Sequence, residues 1–170
     1  MLNKKQIEEL IINKKLIENH VDINIQLTPN GFDVTVEKIF KFSGKGKVDF
    51  SNKERQIPET KEIIAQKQVE SDKFGWWDLS RGIYKVRINE IINLPTDLAA
   101  LSFSRSTLLR MGAYTQHGVW DAGFCGKGEF VLVVDNAEGI TIKQNARVAQ
   151  LVFFPVDETE AYNGIYKGIK

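Results

Sequence analysis

Ile83-Tyr84-Lys85-Val86-Arg87-Ile88-Asn89-Glu90-Ile91 puts Tyr84, Val86 and Ile88 on one side of an extended chain and Lys85, Arg87 and Asn89 on the other. A period of two marks a strand with one face in a core. The reading extends in both directions. Upstream, 33–42 reads as a long strand ending at the turn Ser43-Gly44-Lys45-Gly46, 62–65 as a short one, and 75–79 as an aromatic strand that turns at Ser80-Arg81-Gly82. Downstream, a loop at 93–97 leads into a short buried strand at 98–102, and 129–134, 140–143 and 148–154 complete the series. One amphipathic helix comes first: Ile7, Leu10 and Ile11 share a stripe within 4–13, with Asn3 as its N-cap. Short strands at turn-punctuated intervals predict a mainly β fold, a jelly-roll-like barrel or sandwich with an N-terminal helix.

At 170 residues the chain is expected to form a single domain over 1–170. A net charge of +1 argues against nucleic acid as a partner, because duplex binders carry a basic excess. The lone Cys125 rules out an intrachain disulfide and suits a reducing compartment. The opening residues alternate charged and apolar, unlike a secretory leader, and no apolar run approaches the ~20 residues that cross a bilayer. The expectation is a cytoplasmic protein without a membrane partner. The polar, glycine-containing stretch 157–170 reads as a tail that is mobile until something binds.

Three polar motifs interrupt the apolar strands in order: Arg105-Ser106-Thr107-Leu108-Leu109-Arg110-Met111-Gly112, Asp121-Ala122-Gly123-Phe124-Cys125-Gly126 and Asn145-Ala146-Arg147-Val148-Ala149-Gln150-Leu151. Cationic forks, a hydroxyl-rich turn, one carboxylate and an amide are what a nucleoside triphosphate pocket needs. Neither Gly44-Lys45-Gly46-Lys47 nor Gly126-Lys127-Gly128-Glu129 has the spacing of a P-loop. One cysteine and two histidines, His20 and His117, do not make a zinc deaminase centre. Hydrolysis would then rest on a carboxylate or a hard ion such as Mg²⁺.

The three motifs, with Pro29-Asn30-Gly31-Phe32-Asp33-Val34-Thr35-Val36 and Leu94-Pro95-Thr96-Asp97-Leu98-Ala99-Ala100, resemble the dUTPase and dCTP deaminase superfamily, most nearly its archaeal-type dUTPase branch. The resemblance implies a jelly-roll homotrimer with sites at subunit interfaces. It implies hydrolysis of dUTP to dUMP and pyrophosphate, with Mg²⁺ held mainly by the triphosphate. Asp121 would polarise the attacking water and contact the sugar, whereas its local sequence alone reads as a turn aspartate. Phe124 would close on the deoxyribose, or be an ordinary core aromatic. Arg105, Ser106, Thr107 and Arg110 would bind phosphates from a turn entering a short helix, and Gln150 would offer an amide. Arg147 would pair with a carboxylate.

A hairpin at 113–119, with Gln116, His117, Gly118 and Val119, would read the base through its main chain, His117 facing either solvent or the base. Tyr166 and Lys167 would cover the nucleotide from a lid at 157–170. Deaminases of this superfamily use a glutamate ten residues beyond the Asp. That position is Val131 here, and Glu129 would sit about 7 Å short along the strand. The expectation is a triphosphatase. A dCTP deaminase or bifunctional enzyme acting through Glu129, and a non-catalytic nucleotide-binding trimer, are the alternatives.

Overall fold

The computed structural model describes residues 1–169. The chain begins α1 (Lys4–Lys14), β1 (Ile17–Glu18), α2 (Ile23–Gln26), β2 (Leu27–Thr28), β3 (Gly31–Ser43), β4 (Glu59–Ile63), β5 (Trp76–Leu79) and β6 (Gly82–Asn93). It continues β7 (Leu98–Ser104), α3 (Ser106–Arg110), β8 (Ala113–Gln116), β9 (Cys125–Val134), β10 (Ile140–Lys143) and β11 (Arg147–Pro155).

The first helix starts where the sequence predicts. The Asn3 side chain accepts from the Gln6 N–H at 3.1 Å, and the Gln6 side chain accepts from the Asn3 N–H at 3.0 Å. This reciprocal capping box satisfies donors that have no partner inside the helix. Ile7 and Ile11 are buried, and Leu10 packs at the margin of the core.

The main sheet runs β7-β11-β3-β6-β9-β8, every neighbouring pair antiparallel, with β1 on β6 and β2 and β4 on β3. Its two ends meet. The Thr115 N–H donates to Ser104 Oγ at 2.7 Å, and Ser104 Oγ donates to the Thr115 carbonyl at 3.1 Å, which ties β8 to β7 and nearly closes a barrel. Closure protects strand edges that would otherwise pair with other chains. A separate β5-β10 pair adds Trp77, Leu79, Ile140 and Ile142 to the core made by Phe32, Val86, Ile88, Leu132 and Phe153.

Glu90 on β6 is fully buried and unforeseen. It accepts from Gln26 Nε2 at 2.7 Å, from the Thr35 N–H at 3.0 Å and from the Thr35 hydroxyl. Burial pushes its carboxyl above the usual range, and the donors from Thr35 and Gln26 oppose that rise. Glu90→Ala strands all of these donors without water. The expected loss is about 3 kcal/mol of unfolding free energy, read by urea denaturation. A loss under about 1 kcal/mol contradicts the network's assigned weight.

Two expectations change. The fourth strand is Glu59–Ile63 rather than 62–65, because pairing with β3 runs from Ser43↔Glu59 to Ile39↔Ile63 on a mostly exposed edge that carries little apolar signal. The self-contained hairpin at 113–119 does not form. Its first half, β8, pairs with β9 across a long connection, because Trp120 bridges back to Ala100 through two N–H···O bonds of 3.0 Å. The very short β1, α2 and β2 fall below any periodicity that a sequence displays.

The segment 157–169 carries no helix or strand and lies against its own chain. The Tyr162 N–H donates to the Ala122 carbonyl at 2.8 Å, Gly168 N–H to Cys125 at 2.7 Å and Lys127 N–H to Ile169 at 2.8 Å.

Candidate active site

The connection between β8 and β9 arches over the outer face of the sheet and encloses a cavity of about 500 Å³. His117, Gly118, Val119, Trp120, Asp121 and Phe124 line one side of it. Lys85, Lys127, Glu129 and Val131 line the sheet side, Phe42, Ile57 and Thr60 a further wall, and Tyr162 and Tyr166 the tail side. The volume falls in the range of small-molecule sites, and the mix of aromatic walls with few charges is typical of them.

Asp121 is exposed, and its carboxylate has no hydrogen-bond or ion-pair partner among the described residues. The turn that follows is closed by backbone instead, from Phe124 N–H to the Asp121 carbonyl at 3.1 Å. Gly123 takes φ +78 in that turn, and a Cβ there would come within 2.5 Å of Ala161 in the tail. The side chain is thus not spent on capping its own turn.

Phe124 is buried between two aromatic neighbours. Trp120 meets it edge-on at 5.3 Å, and Tyr162 lies tilted at 5.7 Å. Trp120 donates its indole N–H to Ser102 Oγ. Its ring lies so close over Gly128 that a Cβ would sit 2.0 Å from it, so only glycine fits beneath.

His117 does not face solvent. Its ring packs on Phe130 at 4.2 Å, Nε2 lies 2.8 Å from Thr115 Oγ1, and Nδ1 is buried without a partner. Burial lowers its pKa to about 4, so the imidazole is neutral at pH 7. The unfolded chain takes up this proton near pH 6.5, and the folded one resists it to about 4. Stability should therefore fall as pH drops through that window, by up to about 1.4 kcal/mol per pH unit from this group. His117→Phe should flatten the slope in a melting-temperature series. An unchanged slope contradicts the assignment.

Glu129 lies in the cavity lining, closer to the site than its sequence position suggests, because it shares a face with Val131. It is bound on both oxygens, to Lys85 Nζ at 3.0 Å and to Arg87 at 2.7 Å. Lys127 pairs with Glu37.

The expected phosphate ligands stand elsewhere. Arg105, Ser106, Thr107, Arg110 and Gln150 do not line this cavity. Arg105 Nε lies 2.9 Å from the buried Asp33 carboxylate, and Arg147 reaches the same oxygen at 3.2 Å. Burial raises the Asp33 carboxyl, while Arg105 and Arg147 pull it down. The carboxylate expected for Arg147 is thus Asp33. Gln150 Nε2 donates to Thr28 Oγ1 at 2.6 Å. Ser106, Thr107 and Arg110 are exposed on α3. In the tail, Tyr166 reaches the cavity and Lys167 does not.

Sequence reasoning missed Trp120, Tyr162 and Lys85. Trp120 is adjacent to Asp121 and was legible as part of that motif. Lys85 enters only through strand register.

The family model described as dCTP deaminase-like matches residues 1–156. The chain belongs to that family. A probable deoxyuridine 5'-triphosphate nucleotidohydrolase of Methanosarcina mazei is 42% identical over 98% of this chain and 96% of its own length. A deoxyuridine 5'-triphosphate nucleotidohydrolase of Methanocaldococcus jannaschii is 40% identical over 84% of this chain and 88% of its own. In fold, the family member resembles the 2'-deoxycytidine 5'-triphosphate deaminase of Agrobacterium tumefaciens. The TM-score is 0.64 at 15% identity over 89% of this chain, which spans 46% of that longer one. Among the described residues no helix is long and apolar enough to cross a membrane.

Proposed function

We propose that this chain hydrolyses dUTP to dUMP and pyrophosphate. The observation that carries the reading is the Asp121 carboxylate, unpaired at a nucleotide-sized cavity beside buried Phe124, in a chain similar along nearly its whole length to dUTP nucleotidohydrolases. The main chain of 117–119 holds the uracil and Phe124 the deoxyribose. Asp121 takes a proton from the water that attacks the α-phosphorus, and pyrophosphate leaves. General-base help of this kind is worth about 10²–10⁴ in rate.

The phosphates require a second copy. Within one chain the cavity lacks Arg105, Ser106, Thr107, Arg110 and Gln150, which supports a homotrimer in which a neighbour presents these groups to Asp121. Arg110 is the freer cation, because Arg105 is already engaged by Asp33. Tyr166 closes the site from the tail. Among the described residues no three His, Cys, Asp or Glu side chains stand together as a metal cage. The donor set fits a Mg²⁺ carried by triphosphate oxygens and water, which asks for few protein ligands. Such an ion, when bound, neutralises charge on the phosphates.

Deamination finds less support. Val131 occupies the position where the resemblance calls for a glutamate, and Glu129 is held by Lys85 and Arg87.

Pyrophosphate release from dUTP tests the activity. Subunit mixing tests the shared site. Asp121→Asn and Arg110→Ala should each be nearly inactive alone, and co-assembled mixtures should recover part of the wild-type rate. No recovery in demonstrably mixed oligomers contradicts a site split between copies.

A further inference from the structure

Between β3 and β4 the chain leaves the main sheet as an arm whose base is a wall of the cavity. Phe42, Ile57, Pro58 and Thr60 line the cavity where the arm departs. Past the last rung of the β3–β4 ladder, Ser43↔Glu59, Lys47 and Gln56 pair through two N–H···O bonds of 2.9 Å. The turn beyond them is held by its own side chains. The Asp49 carboxylate accepts from the Ser51 hydroxyl at 2.7 Å, from the Ser51 N–H at 3.1 Å and from the Glu54 N–H at 3.2 Å. Lys47 forms an ion pair with Glu54 across the turn.

This ordered tip presents apolar surface. Phe50 is wholly exposed and Val48 is 83% exposed, with Ile57 more than half exposed nearer the base. An uncovered phenylalanine gains most when a partner removes it from water. Charge selects the partner's chemistry. Asp49 adjoins Phe50, and Glu54 neutralises Lys47, so an anionic membrane or a polyanion touching Phe50 would also meet a carboxylate. A neutral, apolar protein surface suits the tip better.

Position selects a second copy of this chain. A neighbour that presents Arg110 to Asp121 must sit at the cavity whose wall is the arm's base. From Phe42 to Phe50 an extended chain spans at most about 26 Å. The five-residue α3 is only about 7.5 Å long. Phe103 and Leu109, both more than half exposed at that helix, therefore arrive with Arg110. The neighbour brings uncovered apolar surface within the arm's span.

We propose, building on the shared site above, that the arm at 44–58 is a subunit-docking element. Phe50 and Val48 pack on the neighbouring copy and hold its phosphate-binding groups at the cavity. The contact is heterologous, arm to body, and a closed ring of three uses every arm.

The test is the oligomeric mass of wild type, Phe50→Ser and Phe50→Leu across a dilution series, by light scattering and sedimentation. The wild type should have the mass of a trimer. Phe50→Ser should dissociate at a concentration roughly 10- to 100-fold higher, the effect of exposing one buried phenylalanine, and Phe50→Leu should stay near wild type. Nothing in its own chain covers Phe50, so Phe50→Ser should keep the wild-type circular dichroism spectrum, and Val48→Ser replaces it if folding fails. A trimeric wild type with unshifted dissociation in Phe50→Ser overturns the arm's role and leaves the shared site standing. A wild type that stays monomeric removes the shared site itself, and the arm's role with it. Loss of binding to phosphatidylglycerol vesicles in Phe50→Ser, at unchanged mass, assigns the tip to a membrane and likewise overturns the proposal.

Discussion

Asp121→Asn is expected to bind dUTP within about tenfold of wild type and to lose turnover by about 10²–10⁴. The amide keeps a polar contact to the sugar but has no basic oxygen for the water's proton. The local structure makes this a clean substitution. The turn after Asp121 is closed by the Phe124 N–H on the Asp121 carbonyl, and no described side chain depends on the carboxylate. Folding should therefore be unaffected, with an unchanged melting temperature. Steady-state kinetics with a binding measurement on a non-hydrolysable analogue separates the two effects. Full turnover in the variant reduces Asp121 to an exposed turn residue.

Truncation after Pro155 should cost the second-largest loss, about 10²-fold in kcat/KM, because the tail sets one wall of the cavity through Tyr162 and Tyr166. The docked tail also gives a stability effect. Tyr162 packs on the core near Phe124, and the tail lends backbone hydrogen bonds to Ala122, Cys125 and Lys127. A loss of about 1–2 kcal/mol, or roughly 2–8 °C in melting temperature, is expected without nucleotide. Near-normal turnover in the truncated protein contradicts the tail's role in the site. Collapse of the fold would instead make it a structural element.

Elements with strong local periodicity were legible in the sequence. The strand at 83–91 shows its alternation directly, and α1 shows both its stripe and its cap. The three motifs also point to the family without any structure. What depends on pairing across the sheet was not legible. Nothing near Lys85 in sequence says that it faces Val131, and nothing near Glu129 says that Lys85 and Arg87 will hold both its oxygens. Asp33 opens the strand read at 33–42, and nothing in that reading shows that it is buried as the shared partner of Arg105 and Arg147. The tail's contacts with its own chain run through backbone groups, which composition does not report. The separation of the Arg105 and Asp121 motifs has the same origin: order along the chain does not reveal whether two motifs serve one cavity within a chain or across copies.

The central claim is best tested by incubating the protein with Mg²⁺ and, separately, dUTP, dCTP, dTTP or UTP, measuring pyrophosphate and ammonia in each. Pyrophosphate from dUTP alone, without ammonia from dCTP, is the predicted result. Ammonia from dCTP would contradict it and assign proton transfer to Glu129 despite its two cationic partners, and absence of any product despite measurable binding would make the chain a nucleotide-binding protein without this chemistry.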